Sequence, residues 1–268
     1  IHSNIRKFNV NILDQIGNNG LYYLNQDKNL SLFLKFLIKN NIDVHNKNIN
    51  QDNIIGISIR IHTKLFNLLA NKYNNLFNLN DINYHNVKGV TPLILAIKHG
   101  RAKIVETLLR YFKPNIELES RKFAEITPLI YAIKGGNPQI LKILIQYGVD
   151  INKPDKMGAL PITYIIELLY LLVHKSYRVK QLSNYWEVYK ILLNNNPDVN
   201  ICNKYGTTPL MKLVEFAPIK YIKKILKHCN NYILNQQDID GNSALFYIIN
   251  RPMCKLVYQS YSEMLGIF

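Results

Sequence analysis

The strongest constraint on this chain is a short phrase that returns at a nearly fixed interval. Its clearest copies are Gly89-Val90-Thr91-Pro92-Leu93 and Gly206-Thr207-Thr208-Pro209-Leu210. Thr127-Pro128-Leu129 keeps the core of the phrase with Glu125 in place of Gly, and Gly158-Ala159-Leu160-Pro161-Ile162 keeps Gly and Pro. Gly241-Asn242-Ser243-Ala244-Leu245 keeps Gly and Leu, Asn19-Gly20-Leu21 follows Gly17, and Ile55-Gly56-Ile57 is held mainly by its spacing. Anchored on the first residue of each triplet, the copies start at 19, 55, 91, 127, 160, 208 and 243, in steps of 36, 36, 36, 33, 48 and 35. Such a period describes small units whose core is completed only by contact with their neighbours.

The residues between anchors say what each unit is made of. Five positions before the anchors stand Asp14, Asn50, Asn86, Lys122, Asp155, Asn203 and Asp238, and six of these seven are Asp or Asn, residues suited to a turn. After Thr91 come Leu93, Leu95, Ala96 and Ile97, a break at Gly100, then Ile104, Val105, Leu108 and Leu109. After Thr127 the same beat gives Leu129, Ile130, Ala132 and Ile133, a break at Gly135-Gly136, then Ile140, Leu141, Leu144 and Ile145. Spacings of three and four predict two short helices per unit, each with one apolar face. The Thr hydroxyl can cap the first helix, and Pro directly after it sacrifices no hydrogen bond. Gly148 stops the second helix, and Val149-Asp150-Ile151-Asn152 leads into an extended hairpin arm.

On these residues the chain resembles the ankyrin-repeat family. The resemblance implies an all-α solenoid of stacked helix pairs with hairpin-like connecting loops. It divides the chain at 14–49, 50–85, 86–121, 122–154, 155–202, 203–237 and 238–268, the last a degenerate cap. The usual His after Thr-Pro-Leu is absent, with Ile94, Ile130 and Met211 in its place. Phe8-Asn9-Val10-Asn11 reads as the exit of an earlier repeat, so the expectation is an array that begins further upstream.

The long step marks an insertion at 170–186 within the fifth repeat. Ile162 to Val173 reads as an extended first helix, His174, Lys175, Arg178 and Lys180 as a basic connector, and Tyr185 to Leu193 as the second helix. Trp186, the only Trp, reads as core. The last repeat would place its second helix at Met253 to Ser260, followed by an apolar tail ending at Phe268.

Catalytic, cofactor and metal sites are not expected. No GxGxxG, P-loop, GxSxG or HExxH phrase occurs, and the seven His are scattered. His228-Cys229 is the one adjacent His/Cys pair, and nothing beside it completes a ligand set. Cys202, Cys229 and Cys254 are too few and too dispersed for a disulfide framework, which fits a reducing, cytoplasmic setting. The longest apolar run, Pro161 to Val173, contains Glu167 and is too short to span a bilayer. The abundance of Asn and Ile, 35 and 37 residues, reflects AT-rich codons and points to a large DNA virus, an intracellular bacterium or an AT-rich eukaryotic microbe.

Charge gives the partner its expected sign. The net charge is +15, with +7 between Arg60 and Lys113 and +5 between Ile201 and His228. Lys220, Lys223, Lys224 and Lys227 fall on one helix face, which reads first as the solvated side of an outer helix. Aromatic residues interleave with this region only at Tyr221, so a base-stacking platform is not supported, although a basic surface for nucleic acid or anionic membrane is the alternative.

The family resemblance implies that recognition residues fall on hairpin tips and on the exposed ends of inner helices. On this chain those are Lys88, Phe123, Lys156, Met157, Lys204, Tyr205 and Asp240 at the tips, and Lys98, His99, Lys134, Glu167, Glu215 and Phe216 at the helix ends. Phe123, Met157 and Tyr205 stand out as large apolar residues where folding does not need them. The expected role is a non-enzymatic, monomeric interaction scaffold or adaptor for a protein partner, acidic by charge complementarity. In a virus or bacterial effector its site of action would be the host cytoplasm. A further alternative is the recognition part of a larger protein whose effector or catalytic domain lies elsewhere.

Overall fold

The computed structural model describes residues 9–24, 29–121, 125–174 and 179–250. They belong to two compact units, Ile1–Tyr131 and Ala132–Phe268. The first holds a 3-10 turn over Gly20–Tyr23, then α1 (Leu30–Lys39), α2 (Ile54–Ile61) and α3 (Thr63–Lys72). A 3-10 turn over Asn74–Leu76 leads to α4 (Leu79–Ile82), α5 (Pro92–Lys98) and α6 (Ala102–Thr107), which runs on into a π turn over Leu108–Phe112. Helix α7 (Pro128–Lys134) crosses the division. The second unit holds α8 (Pro138–Gln146), α9 (Pro161–His174), α10 (Val179–Leu193), α11 (Pro209–Val214), α12 (Ile219–Leu226), α13 (Asn231–Asn235) and α14 (Ala244–Ile249). Among the described residues there is no strand.

The inner helices are short and apolar nearly all round because they are packed on several sides. In α5 every residue from Pro92 to Ile97 is buried, and Thr91 Oγ1 caps the helix by accepting from the Ile94 amide at 3.2 Å. Helix α2 packs against both α3 and α5, while in the second unit α11 packs against α9, α12 and α14. The outer helices are amphipathic: α12 buries Tyr221, Ile222 and Ile225 and leaves Lys220, Lys223 and the C-capping Lys227 exposed.

One turn is built six times over among the described residues. The amide of an Asp or Asn donates to the carbonyl four residues on: Asp14 to Asn18 (3.0 Å), Asn48 to Asp52 (3.1 Å), Asn86 to Val90 (3.1 Å), Asp155 to Ala159 (3.1 Å), Asn203 to Thr207 (3.1 Å) and Asp238 to Asn242 (3.0 Å). The side-chain Oδ1 accepts the amides two and four residues on, as Asp155 does from Met157 and Ala159, both at 2.9 Å. Only a side chain of this length places an acceptor there, which is why the position is Asp or Asn. The residue three positions on has positive φ and is Gly in five copies, for example Gly89 (+67°) and Gly206 (+74°).

The second copy departs from its sequence reading. Its turn begins at Asn48 rather than Asn50, and Gln51 takes the positive φ, at 55°. The helix cap is Asn53, whose side chain accepts from the Ile55 and Gly56 amides, so Ile55 lies inside α2. Gly56 serves packing instead: a Cβ there would collide with the Tyr84 hydroxyl. In the fourth copy Ser120 donates to Ile126 at 3.1 Å, and the expected turn residue Lys122 lies outside the described residues.

The insertion is mostly helix rather than connector. Helices α9 and α10 are 14 and 15 residues long, against 7 and 9 for α7 and α8 of the preceding pair. Lys180 therefore belongs to α10, while Lys175 and Arg178 lie outside the described residues. The longer helices carry an aromatic cluster into the next pair. Trp186 is 7% exposed and stacks on Tyr221, ring centroids 3.8 Å apart and planes 10° apart. Tyr189 meets both rings edge-on, and its hydroxyl donates to the Tyr221 carbonyl at 3.0 Å. The expected last helix from Met253, the tail and Cys254 lie outside the described residues.

Candidate functional site

Four pairs of successive turns are tied backbone to backbone among the described residues. In the first unit the Ile49 amide donates to Ile16 (2.9 Å), Val87 to Asn50 (3.0 Å) and Arg121 to Gly89 (2.8 Å); in the second, Ile239 donates to Tyr205 (3.0 Å). The approach is close enough that a Cβ on Gly89 would lie 2.7 Å from the Arg121 carbonyl oxygen, and one on Gly206 2.9 Å from Asp238 Cα. With the main chain committed this way, the tip side chains point to solvent. Ile16, Ile49 and Val87 are exposed in the first unit, and Met157, Tyr205 and Ile239 in the second.

A tyrosine reinforces the turns that begin with Asp. The Tyr23 hydroxyl bonds Asp14 Oδ2, Tyr164 donates to Asp155 Oδ2 at 2.5 Å, and Tyr247 to Asp238 Oδ2 at 2.6 Å. Each tyrosine stands nine residues after its aspartate, an Asp-x8-Tyr signal that sequence reading missed. Asn has no second carboxylate oxygen, and two of the three turns that begin with it donate to the preceding turn instead, Asn48 to Asn18 Oδ1 (3.1 Å) and Asn86 to Asp52 Oδ1 (3.0 Å). The tyrosine hydroxyls hold Asp14 and Asp238 below their ordinary carboxylate pKa, and the bond to Asp238, with some burial, pushes Tyr247 up to about 12.

The second unit carries a pocket of about 490 Å³ between the Asp155 and Asn203 turns and the flanks of α9 and α11. Met157 and Tyr205 stand at its mouth, 70% and 50% exposed. Ile166 and Pro209 supply apolar wall, and Glu167 and Lys212 supply charge. Partial desolvation pushes the Glu167 carboxyl above its ordinary pKa, with Lys212 acting the other way. The Lys212 ammonium pairs with Glu215 Oε1 at 3.0 Å and lies 5.7 Å from the centre of the Tyr170 ring. On the rim, Lys204 lies 4.9 Å over the Tyr205 ring.

Of the residues expected from sequence, the pocket brings together Met157, Lys204, Tyr205 and Glu167, with Lys156 exposed next to Met157 and Glu215 joined through Lys212. Lys134 lies 5.0 Å over the Tyr164 ring in the same unit, and Asp240 is exposed on the last turn. The first unit holds Lys88, exposed on the Asn86 turn, and Lys98 and His99 at the end of α5. Lys98 lies 5.6 Å over the Tyr131 ring; desolvation, helped by Arg101, Arg60 and Lys98, lowers the His99 pKa. Phe216 differs from its expected placement. It is 5% exposed, packed edge-on against Tyr170 and beside Trp186, and so serves the core, because the lengthened α9 and α10 cover it. Phe123 lies outside the described residues. Lys212 and Cys202, which also line the pocket, were missed, since one reads as a helix-surface lysine and the other as an isolated thiol.

Among the described residues no three His, Cys, Asp or Glu side chains gather as a metal site would require, and no helix is long and apolar enough to cross a membrane. Burial pushes the Cys229 thiol up to about 12, and its Sγ donates to the Ile225 carbonyl at 3.4 Å.

Comparison with known proteins agrees with this architecture. A family model of ankyrin repeats in three copies matches residues 21–122, and a single ankyrin-repeat model matches 125–156. An ankyrin repeat protein of fowlpox virus (strain NVSL) is 38% identical over 65 residues, 24% of this chain and 24% of the viral protein. The match thus spans about a quarter of that relative's length. The crystal structure of the ankyrin repeat domain of Bcl-3, a member of the IkappaB protein family, superposes with a TM-score of 0.59 at 16% identity, over 81% of this chain and 87% of that one. That likeness is one of fold. With the two family models together spanning half of the sequence, and with helix pairs joined by stacked turns in both units, the chain belongs to the ankyrin-repeat family.

Proposed function

We propose that the protein is a non-enzymatic interaction scaffold that grips a partner protein through its hairpin tips and the groove beside its inner helices. Ankyrin repeats are in general protein-interaction modules. The observation that carries the reading is the pair Met157 and Tyr205, large side chains held out at the mouth of a pocket by turns whose Asp155 and Asn203 side chains accept the Met157 and Tyr205 amides, each at 2.9 Å. Anchors presented on a rigid frame lose little entropy when a partner docks, and aromatic anchors in a polar rim are where binding energy concentrates. Lys156 and Lys204 at the rim, with the net charge of +15, favour an acidic partner surface. The protein would act as a monomer in the cytoplasm, consistent with unpaired Cys202 and Cys229, and in a host's cytoplasm if its likeness to a fowlpox virus protein reflects its origin.

Partner capture by the wild type, Met157→Ala and Tyr205→Ala tests this. Truncating Tyr205 is expected to weaken capture by roughly 10- to 30-fold, the range for an interface anchor. Undiminished recovery by both variants would sink the proposal. The exposed Lys220, Lys223 and Lys227 face of α12 supports a competing polyanion reading. A salt titration separates the two, because phosphate contacts weaken steeply with salt while an apolar anchor does not.

A further inference from the structure

We infer that the pocket between the Asp155 and Asn203 turns takes one Lys or Arg side chain of an extended peptide segment, its head group on Glu167 and its stem against Met157 and Tyr205. This rests on the proposed scaffold function and names the chemistry of the partner at that site. The volume of about 490 Å³ suits one long side chain with adjoining main chain, not a folded element.

Glu167 is the one carboxylate among the lining residues, and it has no hydrogen bond or ion pair among the described residues. The neighbouring cation does not satisfy it, since Lys212 is engaged by Glu215 at 3.0 Å and sits over the Tyr170 ring. An apolar side chain in the pocket would cover the Glu167 carboxylate without pairing it, and an acidic one would set like charges together; both are unfavourable. A basic side chain answers both demands, because its aliphatic stem matches Met157 and Tyr205 at the mouth and Ile166 and Pro209 on the wall while its head donates to the carboxylate. The rim is opposite in sign, with Lys156 and Lys204 exposed on the two turns. The complementary segment is therefore a single basic residue flanked by acidic ones, which reconciles the basic protein with its acidic pocket wall.

The test is selection of a randomised displayed peptide library on the full chain, with counter-selection on Tyr205→Ala. Recovered peptides are expected to share a Lys or Arg with acidic neighbours. Replacing that residue by Gln should weaken binding at least about tenfold on the wild type and less than about twofold on Glu167→Gln. Glu167 has no hydrogen bond or ion pair among the described residues, so this variant is expected to fold, and circular dichroism checks it. Peptides that depend on Tyr205 but lack a shared basic residue, or ignore Glu167→Gln, overturn the inference and leave the scaffold groove standing. Recovery of no Tyr205-dependent peptide overturns both.

Discussion

Asp238 gives Oδ1 to the amides of Asp240 and Asn242 and Oδ2 to the Tyr247 hydroxyl, so its turn is stabilised by the charged carboxylate. Its pKa is held below the ordinary value of 3.8, and the stability this contributes is present above that value and lost as pH falls through the lower, folded one. Tyr247 is the mirror case: raised from 10.0 to about 12, its contribution is complete below 10.0 and lost as pH rises through about 12. Urea midpoints of the wild type and Tyr247→Phe should therefore differ most near neutrality and converge as the pH falls well below 3.8; a gap unchanged on acidification would refute the charge-assisted bond. The Asp half of this pair was legible in the repeat, but the Tyr half was not, because nine residues of separation cross a turn and a helix start. Glycine offers a second residue-scale test. Gly206 and Gly241 share nearly the same φ, +74° and +79°, but among the described residues only Gly206 of the two has backbone within 3 Å of the place a Cβ would occupy. Gly241→Ala should cost about 1 kcal/mol for its φ alone, and Gly206→Ala distinctly more. Equal losses in paired urea melts would show that the close approach carries no weight.

Helix starts were the most readable elements, since Thr91, Thr127 and Thr208 all cap the helix that Pro opens. The second copy hid because Gln51 does a glycine's work and Asn53 a threonine's, so the helix start carries neither expected letter. The extension of α9 was legible as an apolar run from Ile162 to Val173, but the first turns of α10 were misjudged as connector for a different reason. From Ile162 to Asn196 the sequence has no Gly or Pro, a continuous absence of stop signals that favoured helix over connector. What makes the longer helices useful is the cluster of Tyr170, Trp186, Tyr189, Phe216 and Tyr221, which joins the fifth pair to the sixth. Trp186→Ala should cost about 3–5 kcal/mol, as large aromatic deletions in a core do, and Trp fluorescence of the wild type should report unfolding of this region. A loss below about 1 kcal/mol would mean that the cluster is a surface ornament rather than the joint.

At the scale of the whole molecule, repeats within each unit are completed by their neighbours, so damage should stay local. Gly206→Ala is expected to speed hydrogen exchange at the Ile239 amide, which bonds Tyr205, and leave the Val87 amide, which bonds Asn50, as protected as before. Equal acceleration at both sites would contradict nearest-neighbour coupling. The sequence by itself determined the family, the turn residues and the inner-helix cores, because a backbone turn and a helix cap each make demands on single residues at fixed spacing. It also named Met157, Lys204 and Tyr205 as tip residues. Only the tertiary structure decided that Glu167 and Lys212 meet those tips around one pocket while Phe216 is withdrawn into an aromatic core. Those outcomes depend on how helices of different repeats pack, and side chains dozens of residues apart carry no local signal that they will face the same space.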